Sequence, residues 1–337
     1  MIRINRILCP TDMSTDADQA VNYALALSQA YDARLVVCYC ARLAEVVGET
    51  SYLAGATIRS SEVSYALSRG RVKELFEGSL IKFLGPVAYA NLNWEALVIE
   101  GGDVGEAITQ TASEQNIDLI VMRSRRRPHR AAVLGSTAES VCRTAPCPVL
   151  VTHTDEREWV DQSDGKVKLE RLLVAYDFSD YSELALKYAL SLAQEHQAEL
   201  HLLHVLPRDS VSDPEIAWYP MGKDNAYHRA ARRLQRAIPP ETHLWCEVKH
   251  AVAEGQPYRE ILNYAEKHSI DLISLGAHGA GFGMRTLFGS NVGRVLRQAP
   301  CPVLVARPLK PGMPENLAEE LISTVAQKSS VTQFSRI

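Results

Sequence analysis

The segment Ala145-Pro-Cys-Pro-Val-Leu-Val151 returns as Ala299-Pro-Cys-Pro-Val-Leu-Val305, an offset of 154 residues. Ile117-Asp-Leu-Ile120 returns as Ile270-Asp-Leu-Ile273 at an offset of 153, and near the start of each half Asp12 matches Asp177 at an offset of 165. The 165-residue offset also pairs Ala20 with Ala185, Tyr23 with Tyr188, Ala24 with Ala189, Leu25 with Leu190, Gln29 with Gln194 and Leu35 with Leu200. It shrinks because the first copy carries a longer middle segment, between Cys40 and Gly102. Chance does not give so many ordered matches. The chain is a tandem duplication, so its fold is one unit written twice. With 337 residues in total, each copy is long enough to bury a core of its own.

Each copy reads in the same order. A short apolar strand comes first, Ile7-Leu-Cys-Pro-Thr-Asp12 or Leu172-Leu-Val-Ala-Tyr-Asp177. A helix follows, with apolar residues at helical spacing such as Ala185, Tyr188, Ala189 and Leu192. Then come a second strand (Leu35 to Tyr39; Leu200 to Val205), a long helical region, and a third strand (Trp94 to Glu100; Leu244 to Val252). A helix is expected after Gly102 or Gly255, then a fourth strand (Leu119 to Met122; Leu272 to Leu275), a loop, a helix and the Pro-Val-Leu-Val strand. Strands alternating with helices imply a parallel, doubly wound α/β sheet in each half. Residues 152–170 are polar and non-periodic, and the linker is placed at 156–167. It divides a first domain, 1–155, from a second, 168–308. Pro308 and Pro314 then break the pattern, and 309–337 form a C-terminal tail with one short helix expected around Leu317, Leu321, Ile322 and Val325.

Composition narrows the partners. Hydrophobic content of 46% and charged content of 23% are ordinary for a soluble globular chain. A net charge of −4 argues against a general nucleic-acid binder. No apolar run approaches the ~20 residues that a bilayer-spanning helix needs, and the N-terminus lacks the apolar core of a signal peptide. The seven cysteines form no CxxC pair, which reads as buried thiols in a reducing cytoplasm.

The segment richest in chemistry is Gly276-Ala-His-Gly279, nine residues, then Gly289-Ser290, leading into a helix expected from Asn291 to Arg297. Glycines let backbone N–H groups approach an anion and adopt positive φ. A helix N-terminus offers unpaired N–H donors and a partial positive charge, worth roughly 0.3–1 kcal/mol. Ser290 can give a hydroxyl to a phosphate or cap the helix. In an open α/β sheet, ligands sit beyond the carboxyl ends of the strands at the switch point, where Asp177 and Gly276 both belong. The plain alternative is that the glycines make only a turn, Ser290 only a cap, and Asp177 only the local start of a helix with Ser179 or Asp180. His278 tempts as a catalytic base, but the loop offers no partner carboxylate, so its expected contribution is its backbone. His201 and His204, three apart on a strand, point to opposite faces, which is poor metal geometry.

On these residues the chain resembles the universal stress protein family. ATP-binding members of that family carry G-x2-G-x9-G-[ST] after the fourth strand, and Gly276, Gly279, Gly289 and Ser290 match it without a gap. The resemblance covers both halves, roughly 1–155 and 168–308. It implies five parallel strands per half in the order 3-2-1-4-5, an adenine nucleotide alpha-hydrolase-like fold. It also implies ATP, with Mg²⁺ as a further candidate, between strands one and four. The adenine would then lie against Asp177 and the backbone near Val205, and the phosphates against Gly276, His278, Gly279, Gly289, Ser290 and Asn291. Family members pair their last strand across a dimer two-fold. Here the two Pro-Val-Leu-Val edges can satisfy each other within one chain as a pseudo-dimer, with further homodimerisation open.

In the first copy, Arg123 stands where Gly276 stands and Arg126 where Gly279 stands, and eight residues rather than nine precede Gly135-Ser136. An arginine at a left-handed position would cost about 1–2 kcal/mol, and its side chain would fill the phosphate space. The run Arg123-Ser-Arg-Arg-Arg-Pro-His-Arg130 is either a solvated basic loop or an anion site built from guanidinium forks. Gly101-Gly-Asp-Val-Gly105 reads as a structural turn, there is no GxxxxGK[ST], and Gly279-Ala-Gly281-Phe-Gly283 fails the GxGxxG spacing. Three functions stay open. One is an ATP-binding regulatory or stress-response module with slow hydrolysis at most. The second is an enzyme consuming the nucleotide, and the third is a nucleotide-free scaffold.

Overall fold

A computed structural model describes residues 2–15, 17–41, 70–83, 92–100, 102–124, 135–153, 156–160, 166–206, 222–278 and 289–307. The first copy runs β1 (Arg6–Thr11), α1 (Asp18–Tyr31), β2 (Arg34–Ala41), a helix over 70–83 (α2), β3 (Trp94–Glu100), α3 (Val104–Glu114), β4 (Leu119–Arg123), α4 (Ser136–Thr144) and β5 (Val149–Thr152). The second repeats it: β6 (Arg171–Ala175), α5 (Asp180–His196), β7 (Glu199–Leu206), α6 (Gly222–Ala237), β8 (Val248–Glu254), α7 (Pro257–Lys267), β9 (Leu272–Gly276), α8 (Ser290–Gln298) and β10 (Val303–Ala306). Strand order within each half is 3-2-1-4-5, and every pairing inside a half is parallel.

The two five-stranded sheets run on as one sheet of ten. Their last strands meet antiparallel, Val303 opposite Val151, Leu304 opposite Leu150 and Val305 opposite Val149. Both strands are wholly buried, as residues that read as an unbroken apolar run must be. One apolar layer joins residues of α1, α2, α5 and α6 across both halves, and the other joins α3, α4, α7 and α8. All seven cysteines are thiols, Cys40 half-buried and the others buried. No helix among the described residues is long and apolar enough to cross a membrane.

Duplication reaches the backbone. Met13 and Phe178, Asp32 and Gln197, and Asn116 and Ser269 have positive φ at matching places in the two copies. Asp118 Oδ2 accepts the amides of Asn5 and Arg6, and Asp271 Oδ2 those of Glu170 and Arg171. In both copies an aspartate ties the loop before β4 or β9 to the start of the first strand.

Two sequence expectations shift. The third strand of the second copy begins at Val248, not Leu244, because Pro239 and Pro240 start a 3₁₀ turn that ends with Leu244 87% exposed. The polar connection between the halves also contains an anchor. Trp159 is buried, its backbone N–H donates to Tyr23 Oη at 3.1 Å, and its ring meets that of Tyr23 edge-on at 4.6 Å. The tail 309–337 and residues 125–134 lie outside the described residues.

Candidate functional site

The site stands where β6, β7 and β9 end together. Ala175 pairs with Leu203 of β7 and with Leu275 of β9, so Tyr176 and Asp177 leave the sheet beside Gly276. Val205 lies half-buried near the end of β7, opposite Ala253 of β8. Asp177 Oδ1 accepts from both the amide and the hydroxyl of Ser179, and Ser179 Oγ in turn caps α5 by accepting the Ser182 amide at 3.2 Å. The local helix-start role weighed for Asp177 is therefore present. The matching Asp12 binds Ser14 in the same way.

Gly276 lacks a Cβ for a reason the motif does not state. A Cβ there would stand 2.6 Å from the Tyr181 carbonyl carbon and 2.8 Å from its oxygen, so the first turn of α5 rests directly on the strand end. Neither Gly276 nor Arg123 has positive φ, so the backbone-strain argument against Arg123 does not hold. Space is what differs. With Arg123 in that place, α1 starts three residues later than α5 does, at Asp18 rather than at the Thr15 that matches Asp180, and its N-cap Ala17 makes no side-chain hydrogen bond.

Beyond Gly276 the chain passes Ala277 and His278, whose ring meets Tyr181 edge-on at 5.0 Å. Gly279 and residues 280–288 lie outside the described residues. The chain returns at Gly289, whose amide donates to the Ala277 carbonyl at 3.4 Å, so the two ends of the loop are pinned together. Gly289 is the N-cap of α8, with φ −53° and no capping side chain; Ser290 and Asn291 are the first two helical residues, so Ser290 is not the cap. The first turn of α8 holds no acid, whereas α4, also started by a glycine, has Glu139 there, at the position matching Gly293. An uncapped, acid-free helix start keeps its N–H donors and positive dipole end available to an anion.

Sequence reasoning missed the wall on the other side. Phe178, its backbone left-handed at φ 64°, packs its ring tilted against His204 at 4.6 Å and edge-on to Tyr176 at 5.2 Å, and carries the Arg233 guanidinium 3.7 Å above it. Tyr176 Oη donates to Glu183. Burial depresses the His204 pKa, and its Nδ1–H donates to the Tyr176 carbonyl at 2.8 Å. The position of Phe178 next to Asp177 was the available signal. His201 sits on the opposite face, bonded through Nδ1 to Tyr264 Oη at 2.9 Å, away from this edge. Among the described residues no group of three or more His, Cys, Asp or Glu could hold a metal ion.

Fold and site together define a duplicated, doubly wound α/β protein whose second copy presents a glycine-flanked loop and a bare helix start at the switch between its first and fourth strands. The chain belongs to the universal stress protein family: the sequence model of that family matches residues 3–153 and again 168–307. Universal stress protein YxiE of Bacillus subtilis is 32% identical over 146 residues, 41% of this chain and 98% of that protein. Universal stress protein MJ0531 of Methanocaldococcus jannaschii is 28% identical over 145 residues, 43% of this chain and 85% of that protein. The crystal structure of a universal stress protein from Archaeoglobus fulgidus matches with a TM-score of 0.61 at 23% identity, covering 91% of this chain and 97% of its own. That likeness is one of fold, and it spans both copies.

Proposed function

We propose that the second copy binds an adenine nucleotide, ATP in the first instance, and that the chain is a cytoplasmic stress-response module that its nucleotide regulates. The observation that carries this reading is the bare N-terminus of α8, reached from Gly276 through a loop whose ends meet at Ala277 and Gly289. Phosphates would lie against the backbone of Gly276, His278, Gly279 and Gly289, with the Ser290 hydroxyl and the Asn291 amide as donors. Adenine would lie toward Asp177 and the backbone at Val205. Mg²⁺, where it takes part, would arrive on the phosphates.

The first copy is read as a nucleotide-free partner. Arg123 occupies the place of Gly276, and Glu139 in the first turn of α4 answers the helix dipole from within the chain. The seam between β5 and β10 supports a pseudo-dimer within one chain, and homodimers would add to it through other surfaces. A nucleotide regulates such an assembly only by binding one arrangement better than another.

Heating the purified protein and identifying what it releases by mass spectrometry tests the ligand: intact ATP supports the reading, and a nucleotide-free protein favours a scaffold. Calorimetry tests the site. Gly279→Arg, which copies Arg126, is expected to abolish ATP binding, and unchanged affinity in that variant would sink the assignment.

A further inference from the structure

Helix α6 buries Ala230 and Leu234, with Ile238 buried just past its end, and turns Arg229, Arg232, Arg233 and Arg236 to solvent. Those four stand at i, i+3, i+4 and i+7, one stripe along one face. Arg233 lies over Phe178. Among the described residues, no carboxylate pairs with Arg229, Arg232 or Arg236. Like charges at these spacings repel, so the stripe works against the helix that bears it, and among the described residues only Arg233 is offset, by the Phe178 ring.

The duplication supplies a comparison. Helix α2 occupies the matching place in the first copy, and there basic and acidic residues are mixed: Arg71, Lys73, Glu74, Glu77 and Lys82, with Lys73 and Glu77 paired at 3.6 Å. The fold therefore does not need a basic helix at this place. The stripe rises only about 10 Å from Arg229 to Arg236, and Tyr227, 48% exposed, flanks it with its ring edge-on to His228.

We propose that the arginine face of α6 is the docking surface for an acidic protein segment, one that brings three or four Asp or Glu carboxylates within about two helical turns. Guanidinium forks match carboxylates in bidentate fashion, and a short stripe suits a short segment. Nucleic acid and anionic bilayers are extended polyanions that ask for a broader basic surface than a stripe rising about 10 Å. The proposal does not depend on nucleotide binding, since none of Arg229, Arg232 and Arg236 is among the residues assigned to the nucleotide.

The test is fluorescence anisotropy of a labelled glutamate dodecapeptide with the full-length protein at low salt, about 50 mM, where such contacts are least screened. Wild type is expected to bind, with affinity falling as salt rises. Arg229→Glu/Arg232→Glu/Arg236→Glu should weaken binding about tenfold or more, while Arg71→Glu/Lys73→Glu on α2 should leave it unchanged. The corresponding triple glutamine variant carries the test if the glutamate variant does not fold. No binding by wild type, or equal binding by the stripe variant, overturns the proposal. So does stripe-dependent binding of single-stranded RNA or of phosphatidylserine vesicles without binding of the peptide.

Discussion

A Cβ at position 276 would collide with the backbone of Tyr181, while one at position 289 would approach Val292 Cγ2 to 3.3 Å and otherwise make ordinary contacts with the Ala277 carbonyl oxygen at 3.5 Å and His278 Cα at 4.0 Å. Two glycines of one motif thus answer to different demands. Gly276→Arg, the residue of the first copy, should push the opening turn of α5 off the strand end and cost about 1–3 kcal/mol, as overpacking does. Gly289→Ala should stay within about 0.5 kcal/mol of wild type. Urea denaturation of both variants checks the pair, and an undisturbed Gly276→Arg would contradict the packing account. The sequence showed where these glycines are but not why each is there. Spacing reports which residues recur near a strand end, whereas the clash with Tyr181 arises only once α5 is laid on the sheet. Phe178, Arg233 and the edge-on pair of His278 with Tyr181 escaped notice for the same reason, since their partners come from other elements.

At the scale of elements, most of the fold was legible because the repeat let each copy check the other. Periodicity failed where chain stiffness overrode it: Leu244 and Trp245 resemble the start of a strand, but Pro239 and Pro240 had already committed the chain to a 3₁₀ turn. Length alone also hides the ten-stranded sheet, because either Pro-Val-Leu-Val strand could close a separate domain. Pairing between β5 and β10 predicts the effect of a charge at its centre. Leu304 is 3% exposed and faces Leu150. Leu304→Asp should therefore cost about 3–5 kcal/mol, from lost apolar burial and an uncompensated carboxylate. Retained stability with an intact seam would show that the strands do not hold each other.

The whole molecule is tied together by more than that seam. Arg157 donates its backbone N–H to the Pro300 carbonyl at 2.7 Å, and Arg307 Nη1 donates to the Cys142 carbonyl at 2.8 Å. The Ile2 amide donates to Ser191 Oγ at 3.2 Å, and Tyr31 meets His196 edge-on. Trp159 wedges the connecting segment against Tyr23. With apolar layers shared across the halves, the protein should melt in one transition with equal calorimetric and van't Hoff enthalpies. Trp159→Ala should cost about 3–5 kcal/mol and lower that transition; two separate melting events in the wild type would contradict a shared core. Because β5 and β10 are covalently joined, their union escapes the law of mass action: dilution cannot part them, and identical subunits cannot be exchanged. One repeat is thereby freed to drift, since a lesion in it is never doubled by symmetry in its neighbour.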